Sequence, residues 1–120
     1  MKFYRKKENG EIIAVQENET VDLTGFEEII PNTVDAAKEK HVPVISREGQ
    51  TVTVTVGSTV HPMLPNHYIE WIMLETENGV ERKDLEPGEE PVAQFYAAED
   101  DRIIAAYESC NLHGVWKAEA

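Results

Sequence analysis

The side chains best able to hold a soft or borderline metal ion are few in this chain of 120 residues: one thiol, Cys110, and four imidazoles, His41, His61, His67 and His113. "CNLHGVW" sets Cys110 three residues before His113, a C-x-x-H spacing that brings a thiolate and an imidazole within reach of one ion. His61 and His67 flank "PMLPN". Pro62 biases His61 towards an extended backbone and Pro65 stiffens the same connection, so two imidazoles can be aimed at one point. His41 follows a predicted helix. Each residue alone has a plain structural explanation, since a loop histidine is commonly solvated and a free cysteine commonly acts as a small hydrophobe. All five, however, fall at predicted loops or strand edges, and that composite points to a metal site. Five ligands exceed the four of a tetrahedral structural zinc site, and the lack of further cysteines excludes a zinc ribbon or an iron–sulfur cluster. One position stays open. Imidazole suits iron, copper, nickel and zinc alike, so the donor set does not choose among them. On iron, a thiolate opposite an open position pushes electron density towards a bound oxygen species.

The elements that must position these residues are mostly strands. Turn signals recur at "ENG" (8–10), "REGQ" (47–50), "ENG" (77–79), "EPGEEP" (86–91) and "EDD" (99–101). "TVTVTVG" alternates perfectly, with Val52, Val54 and Val56 on one face and three threonines on the other, as a half-buried strand does. "YIEWIMLET" reads as the next strand, and Asn78-Gly79 suits a tight hairpin into "VERKDL". "PVAQFYA", "RIIAAYES" and "VWKA" complete the set. "TVDAAKEK" reads as a helix of about two turns, capped by Asn32 or Thr33 and stopped before Pro43. Trp71 and Trp116 are expected as core anchors, and "KEK" (38–40) by itself reads as a solvated helix face. The sum is an all-β, immunoglobulin-like antiparallel β-sandwich with one short helix. The first thirty or so residues are polar with small apolar clusters and read as a small appended N-terminal segment.

Bulk properties narrow the function classes. The length and a hydrophobic fraction of 41% fit one domain with a real core. A formal charge of -12 repels phosphate backbones and anionic lipids, which argues against nucleic-acid and membrane roles. No apolar run approaches the ~20 residues that span a bilayer. A lone cysteine and the lack of an apolar stretch after the basic start "MKFYRKK" give a cytoplasmic expectation.

Three motifs, "EKHVPVI", "HPMLPNHYIEWI" and "CNLHGVWK", occur in one order and together resemble the superoxide reductase family, also called neelaredoxin or desulfoferrodoxin. The resemblance runs from about Asn32 to Lys117 and implies the same immunoglobulin-like sandwich. It further implies one mononuclear non-haem iron (Fe2+/Fe3+) in square-pyramidal geometry, with His41, His61, His67 and His113 equatorial and Cys110 axial. Glu39 matches the carboxylate that takes the sixth position in the ferric state, and Lys40 the lysine beside the open position. The implied reaction is one-electron reduction of superoxide to hydrogen peroxide with an external donor, typically rubredoxin-like. Dismutation at the same iron, or a non-enzymatic immunoglobulin-like metal-binding interaction module, are the alternatives. Residues 1–31 resemble the family's small desulforedoxin-like domain, with Lys6 and Asn9 where its first cysteine pair would stand and the second pair also missing. That implies a domain split at 31/32, no second iron, and a segment kept for packing or for a homo-oligomer, dimer or tetramer.

Overall fold

Three antiparallel sheets stack in layers in the computed structural model, which describes residues 1–120. The chain opens with β1 (Lys2–Lys6), β2 (Ile12–Val15) and β3 (Phe26–Ile29), joined in the order β2-β1-β3. A single helical turn, α1 (Lys38–His41), leads into β4 (Pro43–Glu48), β5 (Thr51–Val56), β6 (Ile69–Thr76), β7 (Gly79–Asp84), β8 (Val92–Tyr96), β9 (Ile103–Cys110) and β10 (Gly114–Glu119). These form one sheet of order β4-β5-β8 and one of order β10-β9-β6-β7. No helix is long and apolar enough to cross a membrane.

The expected sandwich is present. Its interior is filled by Val52, Val54, Val56, Ala93 and Phe95 from one sheet and by Ile69, Ile72, Leu74, Ala106 and Cys110 from the other. The alternation of β5 survives intact because its threonines face out of the stack. The four-stranded sheet is instead the middle layer, covered on its second face by the N-terminal sheet. Phe3, fully buried, packs there against Trp71 and Tyr107, with ring centroids 5.9 and 4.9 Å away. Strands β6 and β9 are therefore buried on both faces, and a break in their register between Ile69 and Trp71 sends Ile69 inward and Trp71 outward. The linker is stitched to the edge of this middle sheet: Asn32 bonds the backbone of Val115 (3.1 Å) and both backbone groups of Lys117 (2.7 and 3.1 Å).

Two local expectations need correction. The helix foreseen over "TVDAAKEK" shrinks to the one turn Lys38–His41, and neither Asn32 nor Thr33 caps it. Asn32 is occupied with β10, and the Thr33 hydroxyl donates to the carbonyl of Ile30 at 2.7 Å, so the residues ahead of Lys38 are held in bends by side-chain bonds that compete with a helix. In the β6–β7 hairpin Gly79 stands opposite Thr76, so Glu77-Asn78 forms the turn instead of Asn78-Gly79. The buried carboxylate of Asp101 explains the shift, because it accepts bonds from the Thr76 hydroxyl (2.8 Å) and the Asn78 amide (3.3 Å).

Candidate metal centre

At one end of the sandwich three connections meet, and backbone contacts set their spacing. Past Val56 the chain crosses α1 so closely that a Cβ on Gly57 would lie 2.6 Å from the Glu39 carbonyl oxygen; only glycine fits there. That carbonyl accepts the Thr59 amide (2.8 Å) and the Ser58 hydroxyl (3.3 Å), which fixes His41 relative to the loop carrying His61. Leu64 and His67 exchange two backbone bonds of 2.9 and 3.1 Å. Asn111 then ties this loop to the β9–β10 turn: its side chain accepts the Tyr68 amide at 2.9 Å and donates to the Asn66 carbonyl at 3.1 Å. Gly114, at φ +76°, closes that turn in the left-handed region.

The result is convergence of donors drawn from four places in the chain. Ligand atoms of His41, His61, His67 and Cys110 all lie within 4.8 Å of one another. His113 completes the cluster, with its Nδ1 3.1 Å from His41 Nε2 and 3.7 Å from Cys110 Sγ; His61 Nε2 lies 3.5 Å from the same sulfur. Donors about 2.0–2.3 Å from an ion are separated by about 3 Å when adjacent and about 4–4.6 Å when opposite. The cluster has those dimensions. His41 Nδ1 lies 2.7 Å from the Ala37 carbonyl and His61 Nδ1 2.6 Å from that of Pro62, so each ring donates through Nδ1 and turns the lone pair of Nε2 to the centre. His67 Nε2 is buried with no hydrogen-bond partner, an orphan that an ion would satisfy.

A desulfoferrodoxin family model matches residues 33–119, which contain every one of these donors. The chain belongs to the desulfoferrodoxin family. It is 40% identical to a desulfoferrodoxin of Clostridium acetobutylicum over 99% of this chain and 96% of that one. The crystal structure of a superoxide reductase from Treponema pallidum covers 98% of both chains with a TM-score of 0.82 and 38% identity. A one-iron superoxide reductase from Giardia intestinalis aligns with 69% of this chain and 98% of its own at 34% identity and a TM-score of 0.58.

The electrostatics of this desulfoferrodoxin-family centre favour neutral imidazoles. Burial pushes the pKa of His61 down to about 4 and lowers those of His41 and His67, with the neighbouring imidazoles adding to the effect in each. Neutral rings keep the lone pairs that a metal needs. Burial pushes the Cys110 thiol up, so the sulfur becomes a thiolate only when a cation takes the place of its proton.

Glu39 and Lys40 are exposed on α1 and lie outside the converging group. Their charges still reach it: Glu39 favours the imidazolium of His41, and Lys40 disfavours that of His67 after burial and His113. Trp116 is the core anchor that was expected, at 1% exposure, but it does more than fill space. Its indole N–H donates to the His113 carbonyl at 3.0 Å and its ring lies 5.1 Å from that of His41. Glu108, two residues before Cys110, belongs to none of the sequence motifs. It is fully buried on the sandwich side of β9, both carboxyl oxygens lack partners, and burial, then the charge of Glu70, raises its pKa well above the usual carboxylate range. Its neighbours Tyr107 and Ser109 form no motif with it that would single it out in the sequence.

Proposed function

We propose that this chain is a superoxide reductase, reducing superoxide to hydrogen peroxide at one iron held by His41, His61, His67, His113 and Cys110. The observation that carries the reading is the convergence of those five donors, with the His67 nitrogen left unpartnered, in a chain that family and fold place beside superoxide reductases. Bound iron supplies the one-electron couple: superoxide gains one electron and two protons, and an external donor restores the electron. The protein's share is to hold and tune. The carbonyls of Ala37 and Pro62 orient His41 and His61, the Asn111 side chain holds the His67 loop against the Cys110 turn, and Trp116 braces His41 and His113.

Lys40 supplies positive charge beside His67 in a chain of net charge -12, where an anionic substrate otherwise meets repulsion. Glu39, one residue away and exposed, is the carboxylate that would supply a further oxygen ligand to ferric iron. Residues 1–31 act as a packing unit without a metal of their own, anchored by Phe3. A rubredoxin-like carrier as donor and a homo-oligomeric working form belong to the same reading. Stopped-flow mixing of the ferrous protein with superoxide tests it: oxidation at a second-order rate far above that of free ferrous ion, with one peroxide formed per iron and no dioxygen, is expected. Sustained turnover without reductant, releasing dioxygen, would contradict it.

A further inference from the structure

Building on the reductase reading, we propose that Met63 is a peroxide-sensitive staple of the ligand loop. Hydrogen peroxide, the product of the neighbouring centre, oxidises its thioether to the sulfoxide, and the centre's hold on iron loosens. Met63 lies between two ligands, two residues after His61 and four before His67. Its sulfur accepts the backbone amide of Ile69 at 3.3 Å, and its carbonyl accepts the amide of Gly88 at 3.0 Å. The second bond anchors the residue to the 86–91 turn. The first closes the loop on itself, because Ile69 begins β6 and stands opposite Cys110 in β9. One side chain thus holds the stretch carrying His61 and His67 against the strand pair that presents Cys110.

Of the three methionines in the chain, this one alone combines such a position with access. Met1 and Met73 pack on the other face of the middle sheet, beneath the N-terminal strands, with Met73 only 4% exposed. Met63 is partly exposed and packs against the sandwich interior that includes Ile69 and Cys110. It therefore borders both the solvent through which peroxide leaves and the core whose order sets the donor spacing.

The step is a two-electron oxygen transfer. The thioether sulfur attacks one peroxide oxygen, the O–O bond breaks, a sulfur–oxygen bond forms and the second oxygen leaves as water; sulfur loses the two electrons that peroxide gains. A thioether is flexible and apolar, whereas its sulfoxide is polar and disrupts packed cores. The new oxygen must turn out to water or displace the Ile69 amide, and in either case the contact that closes the loop is broken or lengthened. The change is reversible. A methionine sulfoxide reductase removes the oxygen as water while two thiols are oxidised to a disulfide.

The test treats the full iron-loaded chain with excess hydrogen peroxide. Fragment mass spectrometry locates the added oxygen, and chelator competition measures iron affinity. Met63 should take up oxygen well before Met73, and iron affinity should fall about 10-fold or more in step with it, as when a group supporting a ligand is lost. A methionine sulfoxide reductase should restore both. Met63→Leu keeps the volume but has no sulfur to oxidise, so peroxide should leave its iron affinity within about twofold of its own untreated value. Met63 unmodified while Met1 is oxidised, sulfoxide at Met63 with unchanged iron affinity, or an equal loss of affinity in Met63→Leu would overturn the proposal. If the leucine variant does not hold iron, restoration of the parent by the sulfoxide reductase decides alone. A chain that holds iron yet forms no peroxide from superoxide would instead overturn the reductase reading.

Discussion

The two ends of the sandwich are built from similar parts and reach opposite results. At the end away from the histidines, Arg47 donates to the carbonyls of Gly49 (2.9 Å), Asp101 (2.7 Å), Ala98 (2.6 Å) and Ala97 (3.4 Å), and the Asp101 carboxylate takes Thr76 and Asn78. Those polar groups satisfy one another, and the network is closed. At the histidine end the outer nitrogens of His41 and His61 are satisfied in the same way, by backbone carbonyls, but the inner ones face each other and a sulfur. A buried polar group without a partner costs about 1–3 kcal/mol, and the buried His67 Nε2 is such a group, one that an ion would satisfy. The contrast separates polar groups that hold a fold from polar groups that wait for a ligand.

The sharpest way to break the comparison is to cut each end once. His61→Ala should lower iron affinity by about 100-fold or more, beyond the 10–100-fold typical of losing a residue that merely supports a ligand. Arg47→Ala should leave iron binding unchanged and cost about 1–2 kcal/mol in denaturant unfolding, because several carbonyls lose their donor. If Arg47→Ala also released iron, the two ends would not be independent. Next comes Gly57→Ala, whose new methyl would meet the Glu39 carbonyl at 2.6 Å. It should force the His61 loop away from α1, destabilising by about 1–3 kcal/mol and weakening iron retention, both measurable in one chelator competition and one melt. Lys40→Ala should keep its iron and slow superoxide capture by about tenfold, with a flatter dependence on ionic strength; an unchanged rate and slope would remove Lys40 from the mechanism.

A further expected effect is on pH. His61 titrates near 4 in the folded chain against 6.5 for a free imidazole. Below pH 6.5 the unfolded chain takes up that proton first, so metal-free protein loses stability as pH falls from 6.5 through 4 and holds it above that window. His61→Ala should flatten this part of the curve, and Arg47→Ala should not.

Much of the site could be read before any coordinates because its residue types are scarce: with one cysteine and four histidines, C-x-x-H and the Pro-stiffened pair carried most of the information. β5 was legible because one of its faces meets solvent. β6 and β9 show less alternation because they lie in a middle layer with both faces buried, which a single strand's pattern does not reveal. The strand Pro43–Glu48 was not announced at all, since its inward-facing Arg47 reads as surface until the carbonyls it serves are seen. The two-turn helix failed for a related reason: propensity spoke for helix over "TVDAAKEK", but Asn32 and Thr33 spend their side chains on β10 and Ile30. Contacts across the fold decided each of these.

The account stands or falls on whether Cys110 and the imidazoles bind one iron together. Titrating ferrous ion into metal-free protein, oxidising it and recording the visible spectrum measures this directly. One iron per chain with an intense sulfur-to-iron charge-transfer band, lost in Cys110→Ser, is the predicted result. Iron that binds without such a band, or a band that survives Cys110→Ser, would contradict it.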